Sequence, residues 1–303
     1  MEKIDSVLLL GSKGQIGSNL KKKLKIISKK ITTFSKREFN LENLASIKKK
    51  LNKVKPKLII NAAAYTKVDE AEVEKKKCFK INVSSSKLIS EWAKKNNCFF
   101  IHYSTVYIFD GKKKTPWKEN DKPNPLNYYG QTKLTAEKEI IKSKCNYLIL
   151  RLNWIYNENG ENFPKKIIQK FNKSEKLFLV NNQIGTPNHA EFISDITIKI
   201  IKKILNNNIN PKILNISAKG KSNYYDFGKK IFKKIKNKNK SPKLEAIDAK
   251  NYKKIFKNNK TAVRPINSLL NVQKLEKFID QKMPDWNYIF ERKINKIIKK
   301  YSI

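Results

Sequence analysis

The chain is 303 residues long, enough for one large domain or two of ordinary size, and it carries 67 basic against 26 acidic residues, a formal net charge of +41. Hydrophobic residues make up 39% and aromatic residues 10%, which excludes a disordered polycation, and no apolar run approaches the roughly 20 residues of a membrane helix. Cys78, Cys98 and Cys145 are odd in number and widely spaced, with no CxxC, so neither a disulfide framework nor a structural zinc site is supported and a reducing cytoplasm is expected.

The first half alternates strand-like and helix-like segments. Residues 6–10 are a short apolar run ending in glycine, and residues 16–28 follow with Ile16, Leu20, Leu24 and Ile27 at helical spacing. Residues 31–35 are β-branched and strand-like, 42–53 helical, 57–61 a third strand, and 69–94 one long or two short helices. Residues 98–104, 127–142 and 147–151 read as strand, helix and strand. This alternation predicts an α/β fold of βαβ units, a Rossmann-like, doubly wound parallel sheet. After about residue 155 the rhythm loosens. Residues 177–180 and 212–216 are strand-like; 190–205, 223–235 and 285–300 are helical; the lysine- and asparagine-rich stretch 236–262 is hard to place. The expected design is a dinucleotide-binding domain over 1–155, a return to it around 177–217, and a smaller C-terminal α/β substrate lobe within 156–303.

Three motifs carry chemistry. Gly11-Ser-Lys-Gly14-Gln-Ile-Gly17 follows the first strand and opens the first helix, and it uses three of the nine glycines within seven positions. Such a loop makes a tight turn, lets a pyrophosphate approach the backbone and offers it helix amides. At the end of the second strand, Ser35, Lys36 and Arg37 stand where an NAD site usually has an acidic residue. A small residue followed by two cations suits a 2′-phosphate, so NADPH is preferred over NADH; the alternative is two more surface cations. Tyr129 and Lys133 have YxxxK spacing on one helix face. A lysine there can hold a nicotinamide ribose and acidify the tyrosine, which then serves as general acid or base. YxxxK alone is common in a lysine-rich chain. Ser104-Thr105 at the end of the fourth strand raises its weight, by placing hydroxyl donors at the sheet edge where ligands bind.

With these residues the sequence resembles the extended short-chain dehydrogenase/reductases, and more narrowly the dTDP-4-dehydrorhamnose reductase family. The resemblance extends through residues 64–72, 104–111, 123–134, 151–156, 162–163, 182–187, 225–227, 264–269 and 284–286. It implies NADPH-dependent reduction of the 4-keto group of a nucleotide-linked 6-deoxy sugar, dTDP-4-dehydro-L-rhamnose, in the synthesis of polysaccharide precursors. It implies that Gly11, Gly14, Gln15, Ile16 and Gly17 hold the pyrophosphate, that Asn40 and Leu41 sit near adenine, and that Ala62, Ala63, Ala64 and Tyr65 line the cofactor. Thr105, Tyr129 and Lys133 become the catalytic set, and Val106, Tyr107, Trp154 and Arg264 face the sugar nucleotide. Trp154 has a core-packing alternative.

Two departures bear on these expectations. Val106 stands where the family commonly has an aspartate, which leaves the sugar open. Asn19 stands where the family's metal-bridged dimers use an acidic residue, so Mg²⁺ is not supported, although a homodimer is allowed. Other readings are another nucleotide-sugar reductase or epimerase of the same superfamily and a non-catalytic dinucleotide-binding subunit. A dehydratase needs an acid/base pair beside Thr105, and Val106 and Tyr107 do not supply one. The charge by itself suggests nucleic acid. Arg37, Arg151, Arg264 and Arg292 are the only arginines, however, and the lysines are spread along the chain. Specific readers favour arginine, so solvated lysine faces are expected rather than a specific nucleic-acid site. No basic segment precedes an apolar one at the N-terminus, so neither a cleaved signal nor a membrane partner is expected.

Overall fold

The computed structural model describes residues 3–171, 175–235, 242–255 and 261–301. Strands β1 (Ile4–Leu10), β2 (Ser28–Thr33), β3 (Leu58–Asn61), β4 (Phe99–Thr105) and β5 (Asn146–Leu152) join a strand at Ile213–Asn215 in one six-stranded sheet. The order is β2-β1-β3-β4-β5-(213–215), and every pairing is parallel. The crossovers contain helices α1 (Gln15–Lys23), α2 (Leu44–Val54), α3 (Lys75–Phe79), α4 (Ser85–Lys95) and α5 (Tyr128–Lys142).

Helices cover both faces, which is why the strands are continuous apolar runs. Side chains alternate between the two faces. Val7, Leu9, Ile60, Ile101 and Leu150 pack with Leu20 of α1 and with Ile193 and Ile200 of α7 (Ala190–Asn207, after α6 at Phe163–Phe171). Leu8, Ile59, Phe100 and Ile149 pack with Ile47 and Leu51 of α2 and with Ile89 and Trp92 of α4. The winding direction reverses between β1 and β3. In such sheets the crevice beyond the carboxyl ends at this reversal receives ligands. One register row runs Leu10–Asn61–His102 across β1, β3 and β4, directly below that crevice.

The remaining helices are α8 (Tyr224–Lys234), α9 (Ala249–Ile255), α10 (Gln273–Ile279) and α11 (Trp286–Tyr301). A second core gathers Ile167 and Phe171 of α6, Phe227 and Ile231 of α8, Phe290 and Ile294 of α11, and Leu179. Leu179 belongs to a strand, Lys176–Val180, that pairs with Lys243–Ile247 outside the large sheet. The chain rejoins the large sheet instead through α7, packed on α1, and through Ile213–Asn215 beside β5.

Local differences from the sequence reading have physical causes. The apolar spacing to Ile27 predicts helix to residue 28, but α1 ends at Lys23 and a 3-10 turn follows at Leu24–Ile26. The register Ile4↔Ser28 draws the chain into β2, while Leu24 and Ile27 still reach the core from the turn. The helical stretch 69–94 is a 3-10 turn at Glu70–Glu72, then α3, a π-helical turn at Lys80–Ser84, and α4. Helices α6 and α10 lie where the sequence pattern predicts none. Within 236–262, residues 243–247 and 249–255 are strand and helix; residues 236–241 and 256–260 lie outside the described residues. No helix of the described residues is long and apolar enough to cross a membrane.

Candidate active site

Gly11 leaves β1 with φ +75°, and a Cβ there would lie 2.7 Å from the Ala62 carbonyl and the Ala63 nitrogen. A Cβ on Gly17 would lie 2.1 Å from the Gly11 oxygen. The loop therefore turns tightly against the end of β3, with α1 packed onto it at a distance no other residue permits. Gly14 is the N-cap of α1, and no side chain caps that end. Its first-turn amides are open to an anion. The Gln15 side chain is engaged elsewhere: Asn162 donates to its Oε1 at 3.3 Å, and its Nε2 donates to the Glu161 carbonyl at 3.3 Å. Ile16 packs against the core. What Gln15 and Ile16 offer a pyrophosphate is backbone N–H. A narrow, glycine-lined cradle with free amides fits a dinucleotide.

Beyond β2, the Ser35 amide donates to Glu38 Oε2 at 2.8 Å, and the Glu38 amide donates back to the Ser35 hydroxyl at 3.3 Å. The hydrogen bond from the Ser35 amide, with the Ser35 side chain beside it, holds the Glu38 carboxyl below its ordinary range. The one acidic side chain of the stretch is thus folded into its own turn, while Lys36 and Arg37 stand exposed beside it. Asn40 accepts from the Glu42 amide at 3.0 Å, and Leu41 is buried in the core beneath α2.

After β3, the Ala62 amide donates to the Leu10 carbonyl and the Ala63 amide to Asn61 Oδ1 at 3.1 Å. The Tyr65 ring is buried and its hydroxyl donates to Glu74 at 2.6 Å, so residues 62–65 face the crevice with small side chains and main chain. Buried Asn82, inside the π-helical turn, accepts from the Tyr65 amide at 2.8 Å and donates to Thr132 at 3.0 Å. It fastens this segment to α5 one residue before Lys133. π-helical turns of this kind are frequent at functional sites.

Thr105 ends β4, and its Oγ1 accepts from the Tyr107 amide at 3.2 Å. Tyr129 lies in the first turn of α5, which is capped by Asn127 accepting from Gly130 N at 2.8 Å. Burial pushes the Tyr129 phenol well above its ordinary value, and a hydrogen bond with Thr105 opposes this. Lys133 is 2% exposed; its Nζ donates to the Tyr103 carbonyl at 2.6 Å and lies 2.8 Å from His102 Nε2. Burial lowers Lys133 to about 8. The expected acidification of Tyr129 by Lys133 is thus outweighed here by desolvation, which acts on both groups in favour of their neutral forms.

The other side of Tyr129 is aromatic. The Tyr107 ring meets it edge-on at 6.0 Å. Tyr107 also hydrogen-bonds Tyr224 at the start of α8. Tyr224 stacks on Trp154 at 4.1 Å, with ring planes 16° apart. Trp154 has φ 36°, a strained value for a bulky residue, and its indole lies so flat on Gly185 that a Cβ there would fall 2.5 Å from it. Arg264 donates to Asp69 at 2.7 Å and to the Ala262 carbonyl at 3.3 Å, while the Ala262 amide donates to the other Asp69 oxygen at 2.9 Å. Val106 is fully buried with Ile108, Phe109, Trp117 and Leu270, so its side chain is core and not pocket lining.

The fold thus brings Thr105, Tyr129, Tyr107, Trp154 and Arg264 into one contiguous site. It adds Asp69, Tyr224, Asn82 and His102, which the sequence reading did not single out. Asp69 lies within the quoted stretch 64–72 and Tyr224 directly precedes 225–227, so the matched segments were the available signal.

The chain matches the family model described as RmlD substrate binding domain over residues 5–301. It is 31% identical over 304 residues to the dTDP-4-dehydrorhamnose reductase of Escherichia coli (strain K12), covering 98% of this chain and 100% of that protein. Among solved structures, a Bacillus anthracis dTDP-4-dehydrorhamnose reductase in complex with NADP is similar with TM-score 0.84 and 26% identity, over 96% of this chain and 98% of that one. A Clostridium acetobutylicum counterpart has TM-score 0.84 and 27% identity over the same shares of the two chains.

Proposed function

The chain belongs to the RmlD substrate binding domain family, and from that premise we propose that it is an NADPH-dependent oxidoreductase. It reduces the 4-keto group of a nucleotide-linked 6-deoxy sugar, dTDP-4-dehydro-L-rhamnose, to dTDP-L-rhamnose. The observation that carries this reading is the position of Tyr129 and Thr105 between two unlike surfaces. One is a glycine cradle with open helix amides; the other is an aromatic wall ending in a guanidinium.

NADPH, when bound, supplies the hydride for the carbonyl carbon. Gly11, Gly14 and Gly17 with the first turn of α1 hold its pyrophosphate, residues 62–65 line it, and Ser35, Lys36 and Arg37 receive the 2′-phosphate. Tyr129 donates its proton to the carbonyl oxygen as charge develops there. Its raised pKa keeps it protonated across the neutral range, as an acid for reduction must be. Thr105 Oγ1 accepts from the Tyr107 amide, and its hydrogen, directed at the Tyr129 oxygen until the ketone binds, turns to bond the same carbonyl oxygen. Arg264 faces the diphosphate, and Tyr107, Trp154 and Tyr224 pack the nucleoside or sugar. Cys78, Cys98 and Cys145 are buried and unpaired, which supports assignment to a reducing cytoplasm.

The test is direct. Purified protein mixed with NADPH and dTDP-4-dehydro-L-rhamnose should consume NADPH, and Tyr129→Phe should lower kcat by about 10²–10⁴-fold while NADPH affinity is kept. NADPH binding without turnover of any nucleotide keto sugar would instead make the chain a dinucleotide-binding regulator.

A further inference from the structure

A helix start leaves backbone amides without partners inside the helix. At the start of α5, two of them are met by side chains from different segments. Asn127 Oδ1 accepts from Gly130 N at 2.8 Å, and Glu72 Oε1 accepts from Tyr128 N at 2.8 Å. These amides flank Tyr129. The two capping residues are themselves joined on their far sides. Asn127 is 2% exposed, and its Nδ2 donates to the Val263 carbonyl at 2.8 Å. Glu72 ends the 3-10 turn at Glu70–Glu72; its amide donates to the Asp69 carbonyl at 3.3 Å, and Ala71 within the turn is fully buried. One Asp69 carboxylate oxygen accepts from the Ala262 amide at 2.9 Å, and Ala262 is the chain neighbour of Val263. The circuit closes: α5, Asn127, Val263, Ala262, Asp69, the 3-10 turn, Glu72 and α5 again. The other Asp69 oxygen accepts from Arg264 at 2.7 Å. Tyr129 and Arg264 are therefore mounted on opposite sides of one ring. Gly130 fixes the ring against the aromatic wall at backbone distance, since a Cβ there would lie 2.2 Å from the Tyr107 carbonyl oxygen.

We propose that Asn127, Asp69 and Glu72 are positioning residues whose ring fixes the spacing between Tyr129 and Arg264, and so selects substrates by the length from carbonyl to diphosphate. The inference rests on the reductase reading for its purpose. A nucleotide sugar held at its diphosphate by Arg264 meets the phenol only if its carbonyl lies the right number of bonds away. A misplacement of ~1 Å between reacting groups costs on the order of 10²-fold in rate, so a loose α5 start would blunt catalysis without removing any reacting group. Arg264 stays competent while it is held. Its bonds to Asp69 and to the Ala262 carbonyl leave further N–H groups of the guanidinium for an anion. The ring also joins segments that are distant in the chain, and this lets a contact at the diphosphate steady the proton donor.

The experiment opens the ring at separate points in the full chain and reads the opposite side. Without ligand, Asp69→Ala, which removes neither cap of α5, should speed hydrogen exchange of the Tyr128 and Gly130 amides about tenfold. Asn127→Asp keeps the acceptor for Gly130 N and loses the donor to Val263; it should speed exchange of the Ala262 amide in the same way. Arg264→Ala leaves the ring closed and should move none of these amides. In turnover of NADPH with dTDP-4-dehydro-L-rhamnose, Asn127→Asp should lower kcat about tenfold. KM for the nucleotide sugar and the thermal midpoint should change little, because Arg264 and the helix cap remain. Glu72→Ala should lower kcat likewise, and Glu72→Gln, which still accepts from Tyr128 N, should restore most of it. A merely structural role would lower kcat and the thermal midpoint together. The proposal is overturned if neither remote set of amides responds, or if kcat falls only in step with the thermal midpoint in both Asn127→Asp and Glu72→Ala. The expected exchange pattern with no turnover by the unsubstituted protein would count against the reductase reading alone.

Discussion

In the crevice between β1 and β3 the main chain does the shaping. Gly11 and Gly17 bring backbone within contact of backbone, the first turn of α1 offers bare amides, and residues 62–65 add little beyond methyl groups. On the far side of Tyr129 the surface is made of large side chains from distant segments: Asp69, Tyr107, Trp154, Tyr224 and Arg264. A backbone-built surface tolerates no added atoms, but most of its side chains are replaceable. A side-chain-built surface can be altered one contact at a time, which is how a family changes substrate while keeping its cofactor.

Four variants can break or sharpen this contrast. Val106→Asp tests whether the floor beneath the aromatic side is core, as its full burial indicates. An uncompensated carboxylate there should cost about 3–5 kcal/mol in denaturant unfolding; a stable protein with raised activity would return Val106 to the pocket. Gly17→Ala should cost about 3 kcal/mol and abolish NADPH binding in calorimetry, since the Gly11 carbonyl it meets is backbone and cannot yield. Arg264→Ala should raise KM for the nucleotide sugar about tenfold, equivalent to ~1.4 kcal/mol, with NADPH affinity unchanged. Equal losses for both ligands would mean that the two surfaces are not separate. Lys36→Glu with Arg37→Glu should be the mildest, lowering the ratio of NADPH to NADH affinity about fivefold, ~1 kcal/mol for exposed charges. An unchanged ratio would make them surface cations and no more.

Much of the sheet was readable in advance because short apolar runs and helical spacing are local. β3, β4 and β5 fall within a residue or so of their expected limits. The errors fall where local pattern and packing disagree. Residues 177–180 read correctly as a strand, yet pair with 243–247 rather than with the large sheet, since an apolar run does not name its partner. Leu24 and Ile27 kept helical spacing while lying in a turn and at its end. Some surface lysines pair with carboxylates, such as Lys67–Glu70 and Lys29–Asp5.

The sequence by itself determined the dinucleotide cradle and the Tyr129–Lys133 pair, because a glycine turn and an i,i+4 helix face are fixed by a handful of consecutive residues. Tertiary structure alone decided that Arg264 would meet Asp69 across 195 positions, that Val106 would point into a core, and that Lys133 would face His102. Those outcomes depend on strand register and on which side chains lose their water together. Both are properties of the assembled sheet and its covering helices, and no single segment carries them.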